Sequence, residues 1–148
     1  MNYTHSLLIM HFLSTVWMLA VIIFVQLLHY PSFLFVEPHK YKRFFQFHQN
    51  RISIIVVPPM LVELCSLILL NHHFHFSKLL LLISLLLLIL IWLSTFLIQV
   101  PQHQLLIKNP SLALINLLIR FNWIRTFLWT LKSVIIFIFC YLYFLNLN

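Results

Sequence analysis

Apolar residues fill four stretches of the chain, and the polar positions gather mostly between them. The stretches cover residues 6–29, 44–70, 78–99 and 122–145. Each reaches the roughly 20 apolar residues that a helix needs to cross a bilayer. The first is interrupted by His11, Ser14, Thr15 and Gln26. Its opening has no Lys/Arg segment, its apolar run is too long for a signal-peptide core, and no small-x-small cleavage site follows, so it reads as a retained helix. Tyr30-Pro31 is expected to stop it. The second stretch starts amphipathic, with Phe44, Phe45, Phe47, His48 and Arg51, and is apolar over 52–70. Pro58-Pro59 is expected to kink it.

Asn71, His72, His73, His75 and Ser77 mark a hairpin loop. The third stretch is the most apolar and is expected to end at Pro101. A polar loop follows to Pro110, and Ser111 is placed to cap a short amphipathic helix reaching Arg120. That helix is expected at the interface, ahead of the fourth span. The pattern therefore predicts an all-α fold: a single domain over residues 1–148, built as a membrane four-helix bundle.

Composition sharpens this. Of the 148 residues, 63% are hydrophobic and 7% charged, too few charges to solvate a water-soluble domain of this size. The lipid bilayer is thus the first partner. Glycine is absent, so GxxxG packing is excluded and the helices must associate through Ser, Thr, Ala and large interlocking side chains. Cys65 and Cys140 fall inside apolar spans and read as core filler.

Nine Lys and Arg against two acids give a net charge of +7. In a membrane chain that excess is a topology signal, and no nucleic-acid partner is inferred. Lys40, Lys42, Arg43 and Arg51 flank the first loop; Lys108, Arg120 and Arg125 lie between the third and fourth spans. The opposite side has Lys78. The positive-inside rule places both heavy loops in the cytoplasm and both termini outside it.

This topology brings distant residues to one level. His29 ends the first span, His48 and Arg51 begin the second, Gln99 and His103 end the third, and Asn122 and Arg125 begin the fourth. Glu63 lies fifteen residues beyond His48, about 22 Å along a straight helix. Around the second helix His48, Pro59 and Ser66 fall close together, with Arg51 and Glu63 flanking them. Asn122, Arg125, Trp129, Lys132 and Ser133 form a matching stripe on the fourth. The two stripes are expected to face each other across a polar pocket with Glu63 at its floor. An ionised carboxylate at that depth costs roughly 3 kcal/mol unless it is paired or protonated. Glu63 therefore pairs with Lys132 or Arg125, or carries a proton, or meets a ligand. His29, His48 and His103 are the candidate metal ligands, although they lack a local ligand spacing. His72, His73 and His75 read as a solvated loop. Trp123 and Trp129 fit interface anchors or pocket walls.

Two stretches carry a resemblance. One is His48-x-x-Arg51-(x6)-Pro58-x-Met60-x-x-Glu63, preceded by Tyr30-Pro31. The other is Gln99-Val100-Pro101-x-His103-x-x-Leu106, followed by Asn122-Trp123-Ile124-Arg125-Thr126 and Trp129. Together they resemble a family of small four-span bacterial membrane proteins. More remotely, their order is similar to that of the anthrone-oxygenase-like membrane proteins, where VPxN and WNxxRT stand in the corresponding places. That second likeness implies oxidation of a polycyclic phenol or quinone-like molecule without an obvious cofactor, with Arg125 and Asn122 polarising its oxygens.

The leading expectation is an inner-membrane protein whose cytoplasm-facing pocket binds a small apolar or quinone-like molecule. His48, Arg51, Glu63, Gln99, His103, Asn122, Arg125 and Trp129 are the candidate contacts. A membrane oxidoreductase or oxygenase, a dimeric proton-coupled carrier using Glu63 and Lys132, and a structural or assembly subunit are the competing expectations. The sequence assigns no cofactor and leaves a homodimer open.

Overall fold

A computed structural model describes residues 3–73 and 78–145, and these form four long helices: α1 (Tyr3–Phe35), α2 (Pro38–His73), α3 (Lys78–Lys108) and α4 (Leu112–Leu145). All four are long and apolar enough to cross a membrane. No strand occurs among the described residues. The helices form a closed ring in which α1 packs on α2 and α4, and α3 packs on the same two neighbours. α1 and α3 are therefore diagonal, the arrangement that short connections between antiparallel neighbours produce. The outer surface is a belt of apolar side chains, including Trp17, Leu27, Leu97 and Phe127, as suits contact with hydrocarbon. The connection expected over 71–77 begins later than its composition suggests, because α2 runs to His73; residues 74–77, with His75, lie outside the described residues.

Three boundaries differ from the sequence expectation. α1 does not stop at Pro31, and α3 does not stop at Pro101. In each, a five-residue π-helical turn precedes the proline: Val25–His29 in α1 and Thr95–Gln99 in α3. Tyr30 N–H bonds the Val25 carbonyl and Val100 N–H bonds the Thr95 carbonyl, both i to i−5. A proline ring clashes with the carbonyl four residues back, here Leu27 and Leu97. Both carbonyls lie inside the widened turn, which makes room for the ring and lets the helix continue. α2 likewise continues through Pro58-Pro59.

The third difference is in α4. The interfacial helix expected before the fourth span is not a separate element; Leu112 to Leu145 is one helix. Its buried positions Ile115, Leu118, Asn122, Arg125, Trp129, Lys132, Ile136 and Phe139 form one unbroken stripe. The amphipathic run thus shares its inward face with the span, and no Pro or Gly interrupts them. Ser111 does cap this helix, accepting the Leu114 N–H at 3.2 Å.

Two apolar clusters fill the bundle. One holds Met18, Leu67, Leu88, Trp129 and Ile136. The other lies at the end with the α1–α2 and α3–α4 connections and holds Tyr30, Phe33, Phe45, Leu106 and Leu118. Most of the buried polar groups sit where these clusters meet or beside the first of them.

Candidate functional site

The π-turns decide which polar residues face inward. In α1 the buried positions Thr15, Met18, Ile22 and Val25 follow the helical period. Continued unchanged, that period would bury His29. The extra residue in the turn moves the inward position to Tyr30, which is buried, and leaves His29 half-buried. In α3 the run Leu87, Ile91, Ser94 would continue to Ile98, but Gln99 is the buried residue. Each π-turn therefore rotates a hydrogen-bonding side chain into the bundle.

Tyr30 is the hub of a polar network. Its hydroxyl is 3.0 Å from His103 Nε2 and interacts with the Arg125 guanidinium. Arg125 Nη1 donates to Asn122 Oδ1 at 3.4 Å, and Asn122 Nδ2 donates to Gln26 Oε1 at 2.9 Å. Gln26 in turn donates from Nε2 to the Ile119 carbonyl at 3.3 Å. The row ties α1, α3 and α4 together. A second branch joins α1 to α2: His29 Nε2 and His48 Nδ1 are 2.7 Å apart. The rings of His48 and His103 lie 5.2 Å apart, centroid to centroid. Phe33 stands edge-on to both His29 and His48 and holds their rings in place.

A cavity of about 470 Å³ opens between α2 and α3 beside this network. Its walls are mostly apolar, with Ile52, Val56 and Met60 on α2 and Trp92 and Phe96 on α3. Tyr30, Gln99, His103 and Arg125 are among its polar lining, with Gln49, Ser53 and Thr95. Five buried polar atoms on its lining residues have no hydrogen-bond partner among the described residues: Gln99 Oε1 and Nε2, His103 Nδ1, Arg125 Nε and Trp92 Nε1. A second hollow, bounded by Phe35, Lys40, Arg43 and Phe44, is a shallow surface feature; its Glu37 is already paired with Lys40 at 2.7 Å.

The candidates named from sequence separate into three groups. Gln99, His103 and Arg125 line the cavity. Asn122 and His48 stand behind it, Asn122 bonded to Arg125 and the His48 ring tilted against that of His103. The remaining three lie elsewhere. Arg51 is exposed, with its guanidinium 5.6 Å from the Phe47 ring centroid, because its helical position turns outward from His48. Glu63 does not floor the cavity: its Oε1 accepts from Lys132 Nζ at 2.7 Å and from Thr15 Oγ1 at 2.6 Å, in the bundle's centre. Trp129 packs in the apolar core with its ring under Lys132. Beside Glu63, His11 Nδ1 meets Ser66 Oγ at 2.8 Å, and Lys132 also donates to Thr15 at 3.0 Å.

Among the described residues no group of three or more His, Cys, Asp or Glu is placed to hold a metal ion. His29, His48 and His103 form a row in which neighbours meet in pairs instead of converging on one point. Sequence reasoning overlooked Tyr30, Gln26, Thr15 and His11 as members of polar clusters. Their signal was available for all but Tyr30: a Gln, a Thr and a His interrupting an apolar span need partners there. No family model, curated protein or solved structure matches the chain.

Proposed function

We propose that this chain is a multi-pass membrane protein that binds a small, largely apolar molecule bearing carbonyl or hydroxyl oxygens, of the quinone or phenol class, in the cavity between α2 and α3. One observation carries this reading: five buried, partnerless polar atoms belong to residues that line a mostly apolar cavity. Buried polar groups normally find partners, and an orphan costs about 1–3 kcal/mol. A ligand oxygen between Gln99, His103 and Arg125 would satisfy several of them at once. The apolar wall from Ile52 to Met60 suits a ring or an alkyl tail. The likeness to the anthrone-oxygenase-like membrane proteins implies an occupant of the same class.

The cation distribution supports an orientation with the two short connections in the cytoplasm. Lys40, Lys42, Arg43, Lys108 and Arg120 are exposed at that end or beside it, and Lys78 is at the other. Both termini then lie outside, in a bacterial inner membrane.

The test is titration of the detergent-purified protein with a short-tailed benzoquinone, read by tryptophan quenching, since Trp92 lines the cavity. Saturable quenching in the wild type, weakened roughly tenfold in Gln99→Leu, is the expected result, tenfold being one lost hydrogen bond's worth of affinity. Unsaturable partitioning, identical in both proteins, would overturn the reading.

A further inference from the structure

We infer that His48 and His29, with His103 holding the ligand oxygen, form a proton relay from the cavity to the aqueous edge of the bundle, and that the cavity therefore takes a molecule that exchanges protons, a hydroquinone or phenol, in preference to an inert lipid or sterol. This rests on the binding reading above.

The geometry has three parts. His103 lines the cavity and is held by Tyr30 at one nitrogen, while its Nδ1 is buried without a partner among the described residues. His48 is buried with its Nε2 also partnerless, and its ring is 5.2 Å from that of His103. A ligand oxygen seated between the two rings would meet both of these partnerless nitrogens. His48 Nδ1 then meets His29 Nε2 directly at 2.7 Å. His29 is half-buried, about two turns before the α1–α2 connection, where the chain reaches solvent. Three imidazoles in a row on three different helices are more than packing requires at an otherwise aromatic site.

Imidazole suits the task because it accepts a proton at one nitrogen while releasing one from the other. The ligand hydroxyl, held by His103 Nδ1–H, gives its proton to His48 Nε2. His48 Nδ1–H gives one to His29 Nε2, and His29 Nδ1–H gives one to water. His48 and His29 each end with the proton on the opposite nitrogen, and the ligand keeps the electron pair as a phenolate. One proton leaves the ligand and one enters the solvent, with no electron transferred. The groups facing the row are Tyr30 from α1, Arg125 from α4 and, on α1 and α4 behind them, Gln26 and Asn122. The Arg125 cation stands where it stabilises the phenolate that remains. Glu63 and Lys132 are bonded to each other and take no part.

The experiment uses an alkyl-substituted nitrophenol, whose colour reports its own protonation state, bound to the full-length protein in detergent. Equilibrium titration gives its affinity, and a stopped-flow pH jump gives the rate at which the bound phenol changes protonation. The variant is His29→Phe: His29 does not line the cavity, and its ring neighbours include Phe24 and Phe33. Affinity within about twofold of wild type with proton exchange slowed roughly tenfold or more, and restored by added imidazole buffer, supports the relay. Unchanged affinity and unchanged exchange overturn the relay and leave the binding reading standing. No saturable binding to the wild-type protein overturns both.

Discussion

Lys132 Nζ lies 2.7 Å from Glu63 Oε1, and neither side chain has any surface outside the bundle. Thr15 supplies a further hydroxyl to both partners, so α1, α2 and α4 meet at one charge pair. Glu63 Oε2 has no partner among the described residues, and the two charges largely answer each other. Removing one partner of a buried pair strands the other and destabilises by about 3–5 kcal/mol, whereas replacing both with apolar residues is often neutral. Lys132→Met is therefore expected to lower the melting temperature in detergent strongly. Combining it with Glu63→Met is expected to recover most of the loss. A double variant as unstable as the single one would show that the pair itself, and not the stranded charge, matters.

The exposed position of Arg51 leads to the opposite expectation. Its guanidinium lies over the Phe47 ring, a contact worth about 0.5–1 kcal/mol at an exposed site. Arg51→Ala should leave both thermal stability and quinone binding close to wild type. A large loss of binding would mean that Arg51 reaches the cavity after all.

Asn122 stands between Gln26 and Arg125 and is fully buried. Asn122→Ala leaves an amide and a guanidinium without a shared partner, a loss of about 1–3 kcal/mol by the usual scale for buried groups. Melting curves should show that loss, and the quinone titration should weaken in parallel because Arg125 keeps Tyr30 but loses its second partner. A variant with full affinity would place Asn122 outside the support of the site.

Met60 lines the cavity on the α2 side, close in sequence to Glu63. Met60→Trp puts a bulky ring into this space. Ligand competition assays should show abolished or much weakened binding, with circular dichroism unchanged. Normal binding by this variant would move the site elsewhere.

Pro101 is the reason that α3 widens ahead of it. With Pro101→Ala the clash at the Leu97 carbonyl disappears, and an ordinary α-helix favours Ile98 as the inward residue in place of Gln99. Helix content should hold while quinone affinity falls. Undiminished affinity would show that the π-turn is maintained by packing against α4 and α2 alone.

Which features were legible in the sequence depends on the kind of interaction that decides each one. Chain-local hydrophobicity determined the four helices, because a bilayer demands long apolar runs and their length is written residue by residue. Periodicity on α4 likewise determined that Asn122, Arg125, Trp129 and Lys132 share one face, and all four are buried. Pairing, protonation and ligand contact all stayed open for Glu63 on electrostatic grounds, and the structure pairs it with Lys132, one of the two cations considered. Tertiary structure decided the rest. A proline in a sequence signals a break; whether it ends a helix or widens it into a π-turn depends on the neighbours that hold the continuing segment. That choice turned Tyr30 and Gln99 inward, by a rotation of one residue that no periodic reading of α1 or α3 contains. It also separated the polar core into two sites, a charge pair in the bundle's centre and a mostly apolar cavity lined in part by Arg125, since the angular position of each helix against its neighbours fixes which polar atoms meet.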